Sequence, residues 1–572
     1  MTELEFTPAQ LRSWSTVRDG PDTAHATGWA FANHVFLSDE SLARHILGAL
    51  ATPLPFSEVL SGLNGNFATV AENVQGIHLA VDTVRSIPLF YRTDDGKVTV
   101  SDDARLLYSG GRTTDERSAV EYATAAYVTG PHTLFTEVSG LQSGECVSWL
   151  SSDSRPGNHR YYRYACTYDA KESVEDLSDE FDEVLIRAFS RIIVTLDGRQ
   201  AVIPLSGGLD SRLVASMLKR CGYDNVLCFA YGVPGNPELA RSRASAEALG
   251  YPWLHMPYPR NMWRKTLDSA EMHRYWSFAS NGVSLPHCSD WPAVKALADH
   301  PDVSGEAVFV PGHTGDFITG GHLNNVFDPV LHEDPRDFNS AMVKKHYSLW
   351  DDLTALDGVR TAVGHRIDEA LAGFQQESDE DLARMYEYWE WQERQAKLII
   401  NSVRAYEFFG YSWRIPLWDF DIMGFWGRVP LSLKMDKYLY RRYLSSHDPT
   451  GLFGDSAPAG RWDRGEAKRR LNRGIRGRVK TAISQIGPGS VLLRRFIKLR
   501  RYWYEYSRHP EGMASAYGGY RYLFREPSKR NTVALLLREF LQAEYGLELS
   551  TLRSRYENGV VEDGPERIGR VP

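Results

Sequence analysis

Five cysteines in 572 residues, Cys146, Cys166, Cys221, Cys228 and Cys288, are scattered with no C-x-x-C pair among them. That scarcity argues against a disulfide framework, a zinc site and sulfur-relay chemistry. Also missing is any apolar run close to the roughly 20 residues a bilayer-spanning helix needs. The stretch Met1 to Phe6 is acidic and lacks the apolar centre of a secretion signal. Positive charge is not in excess, since 65 Lys and Arg face 73 Asp and Glu for a formal net charge of −8. No global attraction to nucleic acid or to a membrane surface follows. These absences together lead us to expect a cytoplasmic protein with no nucleic-acid partner and no stable membrane insertion. The sequence Gly-Lys-Ser/Thr is absent as well, which excludes the phosphate loop of ATPases that cleave the β–γ bond.

The chain is longer than one hydrophobic core usually serves, so two or more domains are expected. Residues 1–165 read as β-rich, with short runs at Gly76–Val81, Pro88–Tyr91 and Val98–Val100 between Asn-Gly and Asp-Gly turns. Residues 175–450 alternate strand and helix, the pattern of a parallel sheet covered on both faces. Residues 451–572 form an extension whose stretch from Arg461 to Arg501 is dense in Arg and Lys. It reads as a solvated, partly helical tail packed on the preceding domain, with docking to an anionic partner as the second reading. The last dozen residues read as disordered.

The most informative string is Val202-Ile203-Pro204-Leu205-Ser206-Gly207-Gly208-Leu209-Asp210-Ser211-Arg212-Leu213. An apolar strand runs into a glycine turn and then into a helix. The glycines permit a tight turn with backbone N–H groups close to an anion, and the helix start adds unpaired amides and a positive dipole end. Ser206 and Ser211 contribute hydroxyls. Asp210 is out of place in a phosphate loop unless it holds Mg²⁺ shared with the phosphates. The string resembles the pyrophosphate loop of ATP pyrophosphatases, which cleave between the α and β phosphates, and the resemblance implies ATP binding by Leu205, Ser206, Gly207, Gly208, Leu209, Asp210 and Ser211.

A second string, Pro311-Gly312-His313-Thr314-Gly315-Asp316-Phe317-Ile318-Thr319-Gly320-Gly321-His322, follows another apolar run and repeats the logic of glycines around one carboxylate. In open parallel sheets ligands sit beyond the carboxyl ends of the strands, where both glycine turns fall. A third match runs from Asn401 through Glu407 to Arg414-Ile415-Pro416-Leu417-Trp418-Asp419, and a fourth is Asp436-Lys437-Tyr438-Leu439-Tyr440-Arg441-Arg442.

In the N-terminal stretch, Asn64-Gly65-Asn66-Phe67, Arg85 to Tyr91, Ser101 to Ala104, and Thr133 to Phe135 followed by Leu141 to Glu145 resemble the glutaminase domain of class II amidotransferases. Taken in order, the pieces resemble asparagine synthetases over most of residues 30–445. The resemblance implies an α+β N-terminal nucleophile (glutaminase-like) sandwich followed by an α/β doubly wound parallel-sheet ATP pyrophosphatase domain. It also implies that Gly312 and Gly315 join the pyrophosphate site and that Asp210 and Asp316 form the metal pair for Mg²⁺. The resemblance further implies that Lys437 is the lysine that neutralises charge as an acyl-adenylate forms and collapses. His313 stands where asparagine synthetases carry glutamate and β-lactam synthetases tyrosine. It could take a proton from an incoming amine if its pKa stays near the usual ~6.5, or orient substrate as a neutral ring. Glu407 is a further catalytic candidate, although five residues intervene before Arg414 that the asparagine enzymes lack.

A working glutaminase of this kind carries a cysteine directly after the initiator methionine, whereas this chain has Thr2 there and its first cysteine at Cys146. The basic glutamine-anchoring stretch near residue 50 is absent too. Asn64, Gly65 and Asp102 match glutamine-pocket residues, but turn and strand-end roles are the plainer reading. The expected domain is a scaffold without hydrolytic activity, with Thr2 the remaining candidate nucleophile. Nitrogen would then come from ammonia, a separate glutaminase, or an amine on the substrate. Tyr386, Trp389, Gln392 and Glu393 share one face of a helix by their spacing, so the polar pair could line a pocket.

The expected reaction is adenylation of a small-molecule carboxylate, with AMP and pyrophosphate released as an amide forms. Similar proteins accompany bacterial surface-polysaccharide genes, which points to a sugar carboxylate. Aspartate, and ring closure of the β-lactam or lasso-peptide type, stay open as alternatives, as does a homodimer.

Overall fold

The computed structural model describes residues 3–9, 12–108, 114–151, 155–259, 261–327, 337–454, 456, 511–518, 529 and 531–558. Thr2, the basic run from Arg461 to Arg501 and the last dozen residues lie outside them.

Among the described residues, eleven strands build the N-terminal part. They are β1 (Glu3–Phe6), β2 (Ser15–Asp19), β3 (Asp22–Ala32), β4 (Val35–Ser38), β5 (Leu63–Asn73), β6 (Gly76–Val81), β7 (Phe90–Asp94), β8 (Lys97–Ser101), β9 (Ser139–Gly140), β10 (Glu145–Leu150) and β11 (Gly157–Arg160). One sheet has the order β11-β10-β6-β5-β3-β2 with β4 paired to β3, and a smaller one runs β1-β8-β7-β9. The long β3–β5 ladder sets Gly28 opposite Phe67 and Gly65 opposite Ala30. Val98 and Val100 of the small sheet join Val70, Leu79 and Val81 of the large one in a common core, and Tyr91 meets Trp149 edge-on across it. The opposite face of the large sheet is covered by the helix Asp39–Leu50 through Leu42, Ala43 and Ile46. The result is an α+β unit of two packed sheets. Thr133–Phe135 is irregular chain that makes one isolated bridge, from Phe135 to Thr114.

The second part holds five parallel strands, β12 (Ala201–Pro204), β13 (Val226–Gly232), β14 (Trp253–Pro257), β15 (Val308–Phe309) and β16 (Ser412–Trp413), in the order β14-β13-β12-β15-β16. Continuous apolar runs suit strands buried on both faces, and Ala201, Val202 and Ile203 are fully buried. The helix Pro237–Leu249 shows how local sequence sets the boundaries. Asn236 caps its start, Pro237 occupies the first turn, and Gly250 ends it with a left-handed φ of +71°. Strand order reverses on either side of β12, which makes the gap between β12 and β15 the switch point where such sheets take ligands.

The two parts share one continuous core. Trp391 Nε1 donates to the Thr83 carbonyl at 2.9 Å and Arg404 Nη2 to that of Ser86 at 2.6 Å. The helix Thr532–Tyr545 packs Phe540 against both Tyr122 and Trp276, so this portion of the extension touches both parts. Among the described residues, no helix is long and apolar enough to cross a membrane.

Candidate active site

The switch point is built by two interlocked loops. From β12 the chain turns at Ser206–Gly208 into the helix Leu209–Arg220, whose first residue is preceded by Gly208 with no side-chain cap. Its start therefore offers backbone N–H groups to an anion. Ser206 and Ser211 brace the turn from within: their hydroxyls are 3.0 Å apart, and Gly208 N–H donates to Ser206 Oγ at 3.1 Å. Leu205 is fully buried in the core, and its N–H donates to the Phe229 carbonyl.

The second loop leaves β15 and presses onto the first. A Cβ on Gly312 would stand 2.6 Å from Ser211 N, and one on Gly315 would stand 2.4 Å from Asp210 Cγ. Only glycine permits this approach. Thr314 between them takes φ +82°, a conformation costly for a β-branched residue and typical of functional loops. Asp316 opens the short turn Gly315–Ile318, and its backbone N–H faces the Asp210 carboxylate.

Lys437 closes the cluster. It and Asp436 both adopt left-handed φ, +58° and +55°, at the start of the helix Tyr438–Ser446. That turn delivers Nζ onto Asp316 Oδ1, over Gly321, where an added Cβ would lie 2.4 Å from Lys437 Cε. Tyr440, from the next turn, donates to Asp210 Oδ1 at 2.9 Å. The structure thus brings Asp210, Asp316 and Lys437 together from three separate motifs.

Behind Asp316 stands His322. Its Nε2 is 3.2 Å from Asp316 Oδ2 and its Nδ1 2.6 Å from Glu390 Oε2. Burial alone would lower the imidazole pKa, but the facing carboxylates of Glu390 and Asp316 override it and raise the value to about 9. The His322 hydrogen bond, reinforced by the Lys437 charge, holds Asp316 well below the usual carboxylate range. Burial dominates at Asp210 and raises its pKa, with Lys437 opposing.

Three of the expected residues stand in surroundings that their motifs do not announce. Burial pushes the His313 imidazole down to about 4, so the ring is neutral at physiological pH and the condition for a base working near neutrality is not met. Its nearest polar partner is Ser402 Oγ, 3.3 Å from Nε2. Glu407 is drawn into a different cluster, where its carboxylate takes Arg12 Nη2 at 2.8 Å, Arg404 Nη1 at 2.7 Å and Trp413 Nε1 at 2.8 Å. It shares no partner with Asp210, Asp316 or Lys437 among the described residues. The single helical face expected to carry Gln392 and Glu393 is broken, because the α-helix Asp379–Glu390 gives way to a π-helix over Trp391–Ile399. Glu393 is fully buried against Lys397 at 2.5 Å and accepts the Gly130 N–H.

His322, Glu390 and Tyr440 belong to the cluster without an individual motif to announce them. His322 closes the second glycine string and Tyr440 lies inside Lys437–Arg442, so nearness to a motif was the available signal. Glu390 had none, because its approach depends on how a distant helix packs.

Two carboxylates of hard oxygen beside a phosphate-type loop fit Mg²⁺, which commonly takes one or two carboxylates together with substrate phosphates. No group of three or more His, Cys, Asp or Glu side chains among the described residues would hold a metal alone, so any ion here depends on the nucleotide for its remaining ligands.

Comparison with known proteins agrees with this site. The chain is 25% identical over 202 residues to a probable asparagine synthetase [glutamine-hydrolyzing] of Acanthamoeba polyphaga mimivirus, covering 34% of this chain and 35% of that protein. It thus spans about a third of the length of the curated relative it matches. Among solved structures, a glutamine phosphoribosylpyrophosphate amidotransferase from B. subtilis complexed with ADP and GMP aligns over 52% of this chain and 62% of that one, at 11% identity and a TM-score of 0.17. So loose a superposition has no bearing on the fold. Residues 181–453 match the asparagine synthase family, and this span, which contains both loops, Lys437 and Tyr440, is an asparagine-synthase-like domain.

Proposed function

We propose that the protein is an ATP-dependent carbon–nitrogen ligase that adenylates a substrate carboxylate and passes the acyl group to ammonia or an amine. The observation that carries this reading is the interlock of Gly312 and Gly315 with Asp210 and Ser211 at the switch point. It places a helix start suited to phosphates beside two carboxylates and a lysine. The Ser206–Ser211 loop would take the β and γ phosphates, leaving the α-phosphorus open to the attacking carboxylate. Asp210 and Asp316 would hold Mg²⁺, which, when bound, supplies charge neutralisation for departing pyrophosphate. Lys437 adds positive charge from the protein side as the acyl-adenylate forms and collapses. His313, half-buried and with its pKa lowered by desolvation, suits orientation of the acceptor or the amine rather than storage of a proton.

The N-terminal part, residues 1–165, we read as a glutaminase-like scaffold without hydrolytic activity, joined to a ligase domain over 175–450 and an extension over 451–572. Support comes from Asp102, which matches a glutamine-pocket residue but already accepts Arg12 Nη1 at 2.6 Å and the Ala9 N–H at 2.7 Å. Asn64 likewise donates to Asp419 at 3.1 Å. Free ammonia, a partner glutaminase or a substrate amine would supply nitrogen. The acceptor class we favour is a sugar carboxylate, on the likeness of the Pro311–Asp316 turn to proteins of surface-polysaccharide gene clusters.

The test is AMP and pyrophosphate release from ATP across aspartate, amino acids and uronic-acid sugar nucleotides, each with ammonium and separately with glutamine. AMP that depends on a uronic acid and ammonium supports the reading. Dependence on aspartate makes the protein an asparagine synthetase, and equal use of glutamine by the isolated protein overturns the scaffold assignment.

A further inference from the structure

We propose that His322 and Glu390 form a brace, anchored by the buried Glu390, that fixes the orientation of the Asp316 carboxylate, making them positioning residues of the site. The inference rests on the reading of Asp316 as a metal-binding residue.

Asp316 sits on a four-residue turn with about half of its side chain exposed, so packing alone does not fix its rotamer. Both of its oxygens are nevertheless engaged, Oδ1 by Lys437 and Oδ2 by His322. His322 is itself anchored from behind by Glu390, a fully buried carboxylate. A buried carboxylate is tolerated only with charged or hydrogen-bonding partners, and Glu390 has several. Tyr386 Oη donates to Oε1 and Gln395 Nε2 to Oε2, each at 3.2 Å, while Arg394 lies 3.7 Å away.

The backbone supports the same arrangement. Glu390 is the last residue of its α-helix, and the following π-helix widens the turn so that Gln395, five residues on, meets the same carboxylate. An i to i+5 relation is the hallmark of a π segment, and such segments recur at functional sites. The local irregularity thus gathers donors around Glu390, whose Oε2 also faces His322. The chain carboxylate–imidazole–carboxylate has the form by which outer groups orient the side chains that contact a metal.

The experiment measures Mn²⁺ affinity of the full-length protein by electron paramagnetic resonance in the presence of α,β-methylene-ATP. His322→Gln, on the more accessible side, and Glu390→Gln should each weaken Mn²⁺ binding about 10- to 100-fold. Asp316→Asn should weaken it at least as much. Asp316→Asn combined with His322→Gln should be no weaker than Asp316→Asn alone, because the brace acts only through Asp316. Parent-like affinity in both brace variants, alongside a clear loss in Asp316→Asn, would overturn the brace. Parent-like affinity in Asp316→Asn would overturn the metal assignment beneath it. Melting temperatures of the same samples identify any variant that fails to fold, and the other variant then decides.

Discussion

Gly315 lies against Asp210 so closely that a methyl group at its Cβ position would stand 2.5 Å from Asp210 Oδ1. This contact between two loops about a hundred residues apart in sequence aligns the Ser206–Ser211 loop with the second acidic turn. Gly315→Ala must displace Asp210 or the turn itself. A displacement near 1 Å in a catalytic array costs about 100-fold in rate. AMP release should fall by that order, while the melting temperature moves little because the contact is local. Parent-like turnover would show that the loops tolerate separation.

Lys437 is the most directly tested of the cluster residues. Its left-handed backbone and the close approach to Gly321 leave little room for a different head group. Lys437→Met keeps the length of the stem and removes the charge. A loss of about 100- to 1,000-fold in kcat is expected, typical of deleting one preorganised electrostatic contact, with a smaller change in KM for ATP. A raised KM for ATP with kcat unchanged would instead make Lys437 a binding residue only.

Much of this site is legible in the sequence because its parts are local. A strand, a glycine turn and a helix start occur within a dozen residues at 202–213, and the same holds for the turn at 311–316. Chain alternation likewise foretells the parallel sheet, since strand and helix periods are written in short windows. Glu407 shows where that ends. It lies within a recognisable segment, yet Arg12, nearly four hundred residues earlier, draws its carboxylate elsewhere. Glu393 leaves the face that α-helical spacing gives it, because Trp391–Ile399 wind as a π-helix. Nothing in single-residue spacing signals such a change, which is set by the tertiary surroundings of Lys397 and Gly130.

Arg12 bridges two carboxylates from different parts of the chain, Asp102 and Glu407, and Asp102 is fully buried. Arg12→Ala would leave both without their shared cation. Breaking such a pair from one side costs about 3 kcal/mol or more, which should appear as a lower urea midpoint. If the N-terminal part is a scaffold, ammonia-dependent turnover of the folded fraction should survive. A selective loss of turnover at unchanged stability would instead give this junction a functional role.

Histidine burial gives the protein a directional response to acid. His78, inside β6 with its Nδ1 2.9 Å from Ser148 Oγ, is held down to about 4 by burial, and His132 to about 3. For a base whose folded pKa is depressed, the unfolded chain binds more protons in the interval up to ~6.5, so stability rises with pH there. The contribution is complete above ~6.5 and is lost as pH falls toward 4 for His78, and on toward 3 for His132. A depression of this size at His78 corresponds to roughly 3 kcal/mol. His78→Gln retains a hydrogen-bonding partner for Ser148 and removes the titration. Urea unfolding at intervals from pH 7 to pH 4.5 should therefore show a shallower fall in the variant, by up to about 1.4 kcal/mol per pH unit. Identical slopes for parent and variant would mean that His78 reaches solvent before the fold gives way, so that its protonation is not coupled to global unfolding.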